Sequence, residues 1–296
     1  MFTLRSLALL LSLLCAAPAL AANPAITDPV RDAAQPPRSV AFVLPAGDGA
    51  GAMNALLLLA GGAGPHPALL LLHGFPGNEQ NLDLAQAARR AGWHVLTLHY
   101  RGSWGSPGSF SFSHAAKDAH RALAWLRDPA TGAKFGIDPA RIAVAGHSMG
   151  AFMAADAAAD DPRVNGLFLI DGWNFAGEAA ATATPAGMAA WTADHTEDMP
   201  PLQGATLAGL AREAREQRSR FDLAARVLAY GKRPLAVHGA AQALGRDNLA
   251  LLQAAVTAGN TRAEGGLWDT DHSFSDRRVA LATALVEWLG TLVPRD

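Results

Sequence analysis

Apolar residues along the chain fall into short runs that alternate with longer amphipathic segments. The short runs predict β-strands over residues 39–44, 53–60, 68–72, 93–98, 141–145, 164–170, 234–237 and 264–268. The longer segments predict helices over residues 81–91, 114–127, 151–159, 212–230, 248–258 and 279–292. Strands that alternate with helices indicate an α/β fold, in which a mostly parallel sheet carries helices on both faces.

A long segment without a predicted strand separates residues 164–170 from residues 234–237. This segment, residues 172–232, has about 60 residues and exceeds the length of a plain crossover between parallel strands. Open α/β folds bind their ligands at the C-terminal edge of the sheet. We therefore expect a small helical cap insert over that edge. Two ordinary packing helices joined by a loop are the alternative.

The first 21 residues have the composition of a secretory signal peptide. Arg5 supplies a positive start, residues 7–17 are apolar but too few to span a bilayer, and residues 19–21 (ALA) fit an A-x-A cleavage site. Cleavage there leaves residues 22–296 as one domain that is periplasmic or secreted. Cys15 is the single cysteine and leaves with the peptide, so we expect no disulfide, catalytic thiol or cysteine-bound metal.

Charge and hydropathy argue against two classes of partner. The chain has a formal net charge of −2 and no block of basic residues, so we expect no nucleic-acid partner. No apolar run after the signal peptide reaches the roughly 20 residues that a membrane-spanning helix needs. We expect no stable membrane insertion after cleavage of the signal peptide.

Residues 146–150 (GHSMG) carry the strongest chemical signal. This G-x-S-x-G pentapeptide lies between the predicted strand 141–145 and the predicted helix 151–159. A serine at such a sharp turn adopts strained backbone angles, and its hydroxyl stands clear of the sheet at a helix N-terminus. Ser148 is therefore the candidate nucleophile, and a Gly-Ser turn without chemistry is the alternative.

A glycine-rich turn, residues 73–78 (HGFPGN), follows directly after the apolar strand 68–72. Such a turn can direct backbone N–H groups at a developing oxyanion, and in this architecture the second donor is the residue after the nucleophile. The pattern nominates the N–H groups of Phe75 and Met149. A tight β-turn that binds nothing is the alternative.

His272 is the candidate general base, because it lies in the loop between the last predicted strand and the last predicted helix. A neutral imidazole there can accept the Ser148 proton and return it to the leaving group. His147 is adjacent to the serine, where side chains on a sharp turn point apart, so we predict a structural role for it. His73 is expected to support the glycine-rich turn.

The carboxylate that would orient His272 has two equally favoured candidates. Asp247 follows the strand 234–237 but also suits the N-cap of the helix 248–258. Asp171 lies at the end of the preceding predicted strand, at the same edge of the sheet. Gln242 is a less favoured, uncharged substitute. A missing acid would lower the rate by orders of magnitude without removing the nucleophile.

Residues 39–295 resemble the α/β-hydrolase superfamily. The resemblance rests on residues 73–77 (HGFPG), 146–150 (GHSMG) and 271–272 (DH). Residues 100–103 (YRGS) are similar to the catalytic domain of prolyl-oligopeptidase-like and acyl-peptidase-like serine hydrolases, although the chain is too short for the propeller of those peptidases.

The resemblance implies the α/β-hydrolase fold, with Ser148 as nucleophile, His272 as base and no cofactor or metal. The chain departs from the family at Gln242, where an aspartate is usual. We expect a secreted serine hydrolase of carboxylesterase type that acts on a small ester. A peptidase or acyl-aminoacyl hydrolase that uses the same serine on a short acyl or peptide substrate is one alternative. A non-catalytic binding protein, which Gln242 favours, is the other.

Overall fold

The computed structural model of the chain describes residues 23–293, and the predicted signal peptide, residues 1–21, lies outside the described residues. The strands are β1 Arg38–Pro45, β2 Ala52–Leu59, β3 His66–Leu72, β4 His94–His99, β5 Ile137–His147, β6 Gly166–Ile170, β7 Leu235–Ala240 and β8 Ala263–Trp268. They form one eight-stranded sheet in the order β1-β2-β4-β3-β5-β6-β7-β8. Strand β2 pairs antiparallel with β1 and β4, and the other described pairs are parallel.

The helices are α1 Leu82–Arg90, α2 Phe112–Arg127, α3 Pro129–Phe135, α4 Met149–Asp160, α5 Phe175–Ala181, α6 Pro185–His195, α7 Leu207–Glu216, α8 Leu223–Tyr230, α9 Gly245–Thr257 and α10 Arg278–Thr291. The predicted α/β fold is therefore confirmed. Helix α3 was not predicted from the apolar pattern. Residues at its N-terminus determine where this helix begins. The Asp128 side chain accepts a hydrogen bond from the N–H of Thr131, and Pro129 occupies the first turn.

The central strand β3 explains why the sheet is covered on both faces. Its apolar side chains alternate between the two faces, because successive residues of a strand point to opposite sides. Leu70 and Leu72 pack into a core cluster with residues of α2 and α4, whereas Leu69 and Leu71 pack into a second cluster with residues of α1 and α10. All four leucines are almost fully buried.

The segment 172–232 forms α5, α6, a short 3-10 turn over Thr196–Asp198, α7 and α8. The predicted continuous helix over 212–230 is wrong, because α7 ends at Glu216 and α8 begins after Asp222. The Asp222 side chain accepts hydrogen bonds from the N–H groups of Ala224 and Ala225, which fixes a new helix start. Helices α5, α6 and α7 contact one another, whereas α8 packs against α4 and α9 beside the sheet.

Between residues 23 and 293, no helix has both the length and the apolar character needed to cross a membrane.

Candidate active site

Ser148 lies between the last residue of β5 and the first residue of α4, as the pentapeptide predicted. Its φ of 56° and ψ of −121° are strained for a residue with a side chain. Glycine is required on both sides, because a Cβ on Gly146 would overlap the carbonyl of Gly150 and a Cβ on Gly150 would overlap the carbonyl of Leu72. The turn therefore holds the serine tightly against β3 and α4.

His272 and Asp171 are in direct contact. The imidazole Nδ1 lies 2.6 Å from Asp171 Oδ2, although 101 residues separate the two along the chain. Asp171 is fully buried, and its carboxylate also accepts hydrogen bonds from the N–H groups of Ala240 at 2.9 Å and Leu244 at 3.3 Å. Because a carboxylate only accepts, Nδ1 carries the proton and the lone pair of the neutral ring is on Nε2.

The expectation that Asp247 orients His272 is corrected by this contact. Asp247 lies exposed in the first turn of α9, where a negative charge is favourable at a helix N-terminus. Gln242 is also directed elsewhere, because its amide donates a hydrogen bond to Asp269 Oδ1 at 3.3 Å. Of the two aspartates weighed from the sequence, the structure brings Asp171 to the imidazole.

His147 fixes the backbone of the loop that carries His272. Its Nε2 donates a hydrogen bond to the carbonyl oxygen of His272 at 2.8 Å, and the two ring centroids are 4.6 Å apart. Burial, with a smaller contribution from the nearby His272, lowers the pKa of His147 to about 3. His147 is therefore neutral near pH 7 and acts as a hydrogen-bond donor to the loop.

The glycine-rich turn passes directly against the candidate nucleophile. A Cβ on Gly74 would lie 2.8 Å from Ser148 Cβ. Met149 is the first residue of α4, so its N–H has no acceptor within the helix. The N–H of Phe75 also donates no hydrogen bond to another residue in the range 23–293. Both predicted oxyanion donors therefore have N–H groups free to bind a ligand.

Three contacts stabilise the glycine-rich turn. The Nδ1 of His73 lies 2.7 Å from the carbonyl oxygen of Gly74, in keeping with the predicted supporting role of this histidine. The Tyr100 hydroxyl donates to the carbonyl of His73 at 3.2 Å, and the Trp104 indole donates to the carbonyl of Pro76 at 2.9 Å. Burial lowers the pKa of His73 to about 4, so this ring is also neutral near pH 7.

No hydrogen bond joins the Ser148 hydroxyl to His272 in the described part of the chain. Bonds between a nucleophile and its base are often long or poorly aligned until substrate binds. The Ser148 residue is buried, with 7% of its surface exposed, whereas the His272 side chain is 39% exposed, so a substrate would reach the serine from the side of the imidazole.

Strained backbone is concentrated around these residues. In the described chain, five residues other than glycine have positive φ angles, and they are Asn81, Trp104, Ser148, Asp171 and Phe274. Two of them are the candidate nucleophile and the aspartate, Phe274 is two residues beyond His272, and Trp104 contacts the glycine-rich turn. Such strain persists only where the surrounding structure enforces it, and it is concentrated at functional sites.

Aromatic side chains of the 172–232 segment lie beside the glycine-rich turn. The centroid of the Phe75 ring lies 6.2 Å from that of the Trp173 ring and 5.8 Å from that of the His195 ring. The N–H of Trp173 also donates to the Ser148 carbonyl at 3.1 Å. This neighbourhood was not predicted, because no local pattern distinguishes these two side chains from other aromatic residues of the segment.

The segment 100–108, which includes the YRGS motif of residues 100–103, is organised around a buried cation. Arg101 is fully buried, and its guanidinium binds Asp118 at 2.7 Å and Asp48 at 2.7 Å. Its backbone N–H also donates to Asp118 at 2.8 Å. Two partners compensate the cost of burying this charge, so we assign the residue to the stability of the loop.

One group of side chains in the described residues has the composition of a metal site. His120, Asp156 and Asp160 place their ligand atoms within 4.8 Å of one another. The guanidinium of Arg226 already pairs with both carboxylates. This arrangement is an ion-pair network on the helices outside the candidate active site.

Comparisons with known proteins agree with this architecture. The sequence model of the alpha/beta hydrolase fold family matches residues 67–257. The chain therefore belongs to the α/β-hydrolase family, which is the class that the fold and the strand-to-helix serine define.

Three solved structures illustrate the likeness of fold. EstE1, a thermophilic carboxylesterase cloned from a metagenomic library, is 22% identical with a TM-score of 0.62, and the match covers 91% of this chain and 92% of that one. A thermostable carboxyl esterase from Bacillus coagulans is 15% identical with a TM-score of 0.64, over 86% and 99% of the two chains. Est1E from Butyrivibrio proteoclasticus is 16% identical with a TM-score of 0.65, over 85% and 98%.

Among curated proteins, an uncharacterized protein of Mycobacterium tuberculosis is 40% identical over 80 residues. The match spans only 27% of this chain and 27% of that relative.

Proposed function

We propose that the chain is a serine hydrolase that cleaves small carboxylic esters through an acyl-enzyme. The observation that carries the proposal is the contact of 2.6 Å between His272 and the buried Asp171. The His272 ring also lies 4.6 Å from the ring of His147, the residue before a serine in strained backbone geometry at a strand-to-helix turn. This combination supplies a nucleophile, a base and the carboxylate that orients the base. The carboxylesterase structures that share the fold favour an ester as substrate.

The reaction begins when Ser148 Oγ attacks the ester carbonyl carbon. Nε2 of His272 takes the hydroxyl proton, and the Asp171 carboxylate stabilises the imidazolium that forms. The N–H groups of Phe75 and Met149 donate hydrogen bonds to the tetrahedral oxyanion. The C–O bond to the alcohol then breaks, and His272 returns the proton to the leaving oxygen.

Water completes the cycle. His272 removes a proton from the water as its oxygen attacks the acyl carbon, and the second tetrahedral intermediate uses the same two N–H donors. The bond to Ser148 Oγ breaks, the proton returns to the serine, and the carboxylic acid leaves. Each step uses groups that the chain itself provides.

Hydrolysis of p-nitrophenyl acetate tests the proposal. We expect the wild-type chain to turn over the ester and Ser148→Ala to lose that activity. Ser219→Ala is the matched control, because Ser219 is exposed in the turn between α7 and α8. Peptide p-nitroanilides in a parallel assay separate an esterase from a peptidase that uses the same serine. Wild-type turnover equal to that of Ser148→Ala would contradict the proposal.

We also propose export to the periplasm or the medium, on the strength of the positive, apolar and A-x-A segments of residues 1–21. Expression of the full sequence in a bacterial host should yield a chain whose N-terminus follows Ala21. Recovery of the chain with residues 1–21 still attached would contradict export by this route.

A further inference from the structure

The base loop, residues 269–275, connects β8 to α10 and carries His272. Just beyond it, Arg278 is the first residue of α10. The guanidinium of Arg278 donates from Nη1 to the carbonyl oxygen of Ser273 at 2.8 Å. Its Nη2 donates to Asn81 Oδ1 at 3.0 Å, so one side chain joins the base loop to the start of α1.

The aspartate that pairs with Arg278 fixes the orientation of the guanidinium plane. Asp83 accepts from Nε at 2.8 Å and from Nη2 at 2.5 Å, which is a two-point contact between planar groups. Because that plane is fixed, Nη1 is directed at Ser273. A lysine would offer a point charge and could not hold the same set of acceptors.

Two successive carbonyl groups of the base loop therefore each accept a hydrogen bond from a side chain outside the loop. The buried His147 donates to the carbonyl of His272, and the partly exposed Arg278 donates to the carbonyl of Ser273. The Arg278 side chain is only 21% exposed, whereas that of its neighbour Arg277 is 47% exposed and pairs with the adjacent Asp276. The paired donors fix the backbone on which the His272 ring stands.

We propose that Arg278 is a positioning residue for His272, a role that rests on the proposed serine hydrolase function. It touches no reacting atom and acts by holding the Ser273 carbonyl against α1. A displacement of about 1 Å in a catalytic group can cost about 100-fold in rate. Loss of the guanidinium should therefore reduce kcat, while KM for a small ester changes little.

Three variants separate positioning from general stability. Arg278→Met removes the donors and keeps much of the side-chain volume. Arg278→Lys keeps the positive charge but loses the planar contact, so it should resemble Arg278→Met if geometry matters and the wild type if charge alone matters. Arg277→Met is the matched control, because it removes a neighbouring arginine whose side chain contacts Asp276, outside the base loop, and it leaves the backbone hydrogen bond from residue 277 to Phe274 in place.

The first measurement is the division of the effect between kcat and KM with p-nitrophenyl acetate. We expect kcat to fall by about 10- to 100-fold in Arg278→Met and Arg278→Lys, with KM within about threefold of wild type, and no change in Arg277→Met. An unchanged kcat in the Arg278 variants of an active enzyme would overturn the proposal. A fall in kcat that Arg277→Met shares would overturn it as well.

The second measurement does not depend on turnover. The His272 Nδ1–H proton bound to Asp171 should give a far-downfield 1H NMR resonance, assigned by its loss in His272→Gln. We expect this resonance to broaden or disappear in Arg278→Met and Arg278→Lys but to persist in Arg277→Met. This resonance reports on the contact between His272 and Asp171 even if the wild-type chain hydrolyses no ester. Failure of the proposed function can therefore be distinguished from failure of the positioning role. A resonance unchanged in both Arg278 variants would refute the positioning role.

Discussion

Replacement of Asp171 by asparagine exchanges one carboxylate oxygen for an NH2 group and leaves the shape of the side chain almost unchanged. The carboxylate presents Oδ1 to the Ala240 N–H at 2.9 Å, and Oδ2 to His272 Nδ1 at 2.6 Å and to the Leu244 N–H at 3.3 Å. An asparagine offers one oxygen and one NH2 group in the same fully buried place. Either the imidazole or the Ala240 N–H must therefore face a donor.

The two orientations of the asparagine differ in cost. If its NH2 faces Ala240, two donors oppose each other in the interior, at a cost of about 1–3 kcal/mol. If its oxygen stays with Ala240, the NH2 group takes the place of Oδ2, where it opposes the Leu244 N–H and donates to Nδ1 of His272, so the ring proton moves to Nε2. The ring then cannot accept the Ser148 proton, and a wrong tautomer of this kind lowers kcat by about 10⁴-fold. That loss equals about 5.4 kcal/mol of transition-state stabilisation.

Steady-state hydrolysis of p-nitrophenyl acetate measures this loss, and the midpoint of thermal unfolding checks that each variant folds. Asp247→Asn is the matched control, because Asp247 is exposed in the first turn of α9. We expect a loss of about 10⁴-fold for Asp171→Asn and almost none for Asp247→Asn. A folded Asp171→Asn variant with more than a tenth of the wild-type kcat would refute this assignment, as would an equal loss in the control.

Three further predictions follow from burial and packing. Gly74→Ala should lower kcat roughly 100-fold in the same assay, because its Cβ would lie 2.8 Å from Ser148 Cβ, and a variant with wild-type kcat would contradict this contact. Burial lowers the pKa values of His73, His94 and His238 to about 4 and that of His147 to about 3. Below pH 6.5 the unfolded chain therefore binds more protons than the folded chain, and the free energy of unfolding should decrease as the pH is lowered from about 6.5 to about 4. Urea unfolding at pH 7 and 4.5 measures it, and an equal midpoint at both pH values would count against the buried neutral rings. Arg101→Met should lower the free energy of unfolding by about 3–5 kcal/mol, because it leaves the buried Asp118 unpaired. Arg141→Met, which removes a partly exposed ion pair, should lower it by less than about 1 kcal/mol. Equal urea midpoints for the two variants would contradict this difference.

The fold could be predicted from local pattern because burial on both faces leaves a local signature. The leucines of β3 form an uninterrupted apolar run since alternate side chains enter different core clusters. The serine turn also has a local cause, because glycines at 146 and 150 are required by close backbone contacts. The helix break at residues 217–222 escaped prediction, because the apolar spacing continues through a segment that Asp222 interrupts by capping a new helix.

The aspartate beside His272 could not be selected from local sequence. Its contact depends on the pairing of β6 with β7, which places the Asp171 N–H 2.7 Å from the His238 carbonyl and its carboxylate beside Ala240. Asp247 also satisfied the order of residues along the chain. It lies in the first turn of α9, however, and the imidazole contacts Asp171 instead. The contacts of Arg278 could not be predicted from local sequence either, because its partner Asp83 is 195 residues distant in the chain.

Covalent labelling of Ser148 tests the central claim most directly. A fluorophosphonate probe reacts with a serine that a neighbouring base activates, and mass spectrometry of the digested protein locates the adduct. We predict one adduct on the peptide that contains Ser148, its loss in Ser148→Ala and markedly slower labelling in Asp171→Asn. A folded wild-type chain that acquires no adduct at Ser148, or labelling of Ser148→Ala at the wild-type rate, would contradict the account.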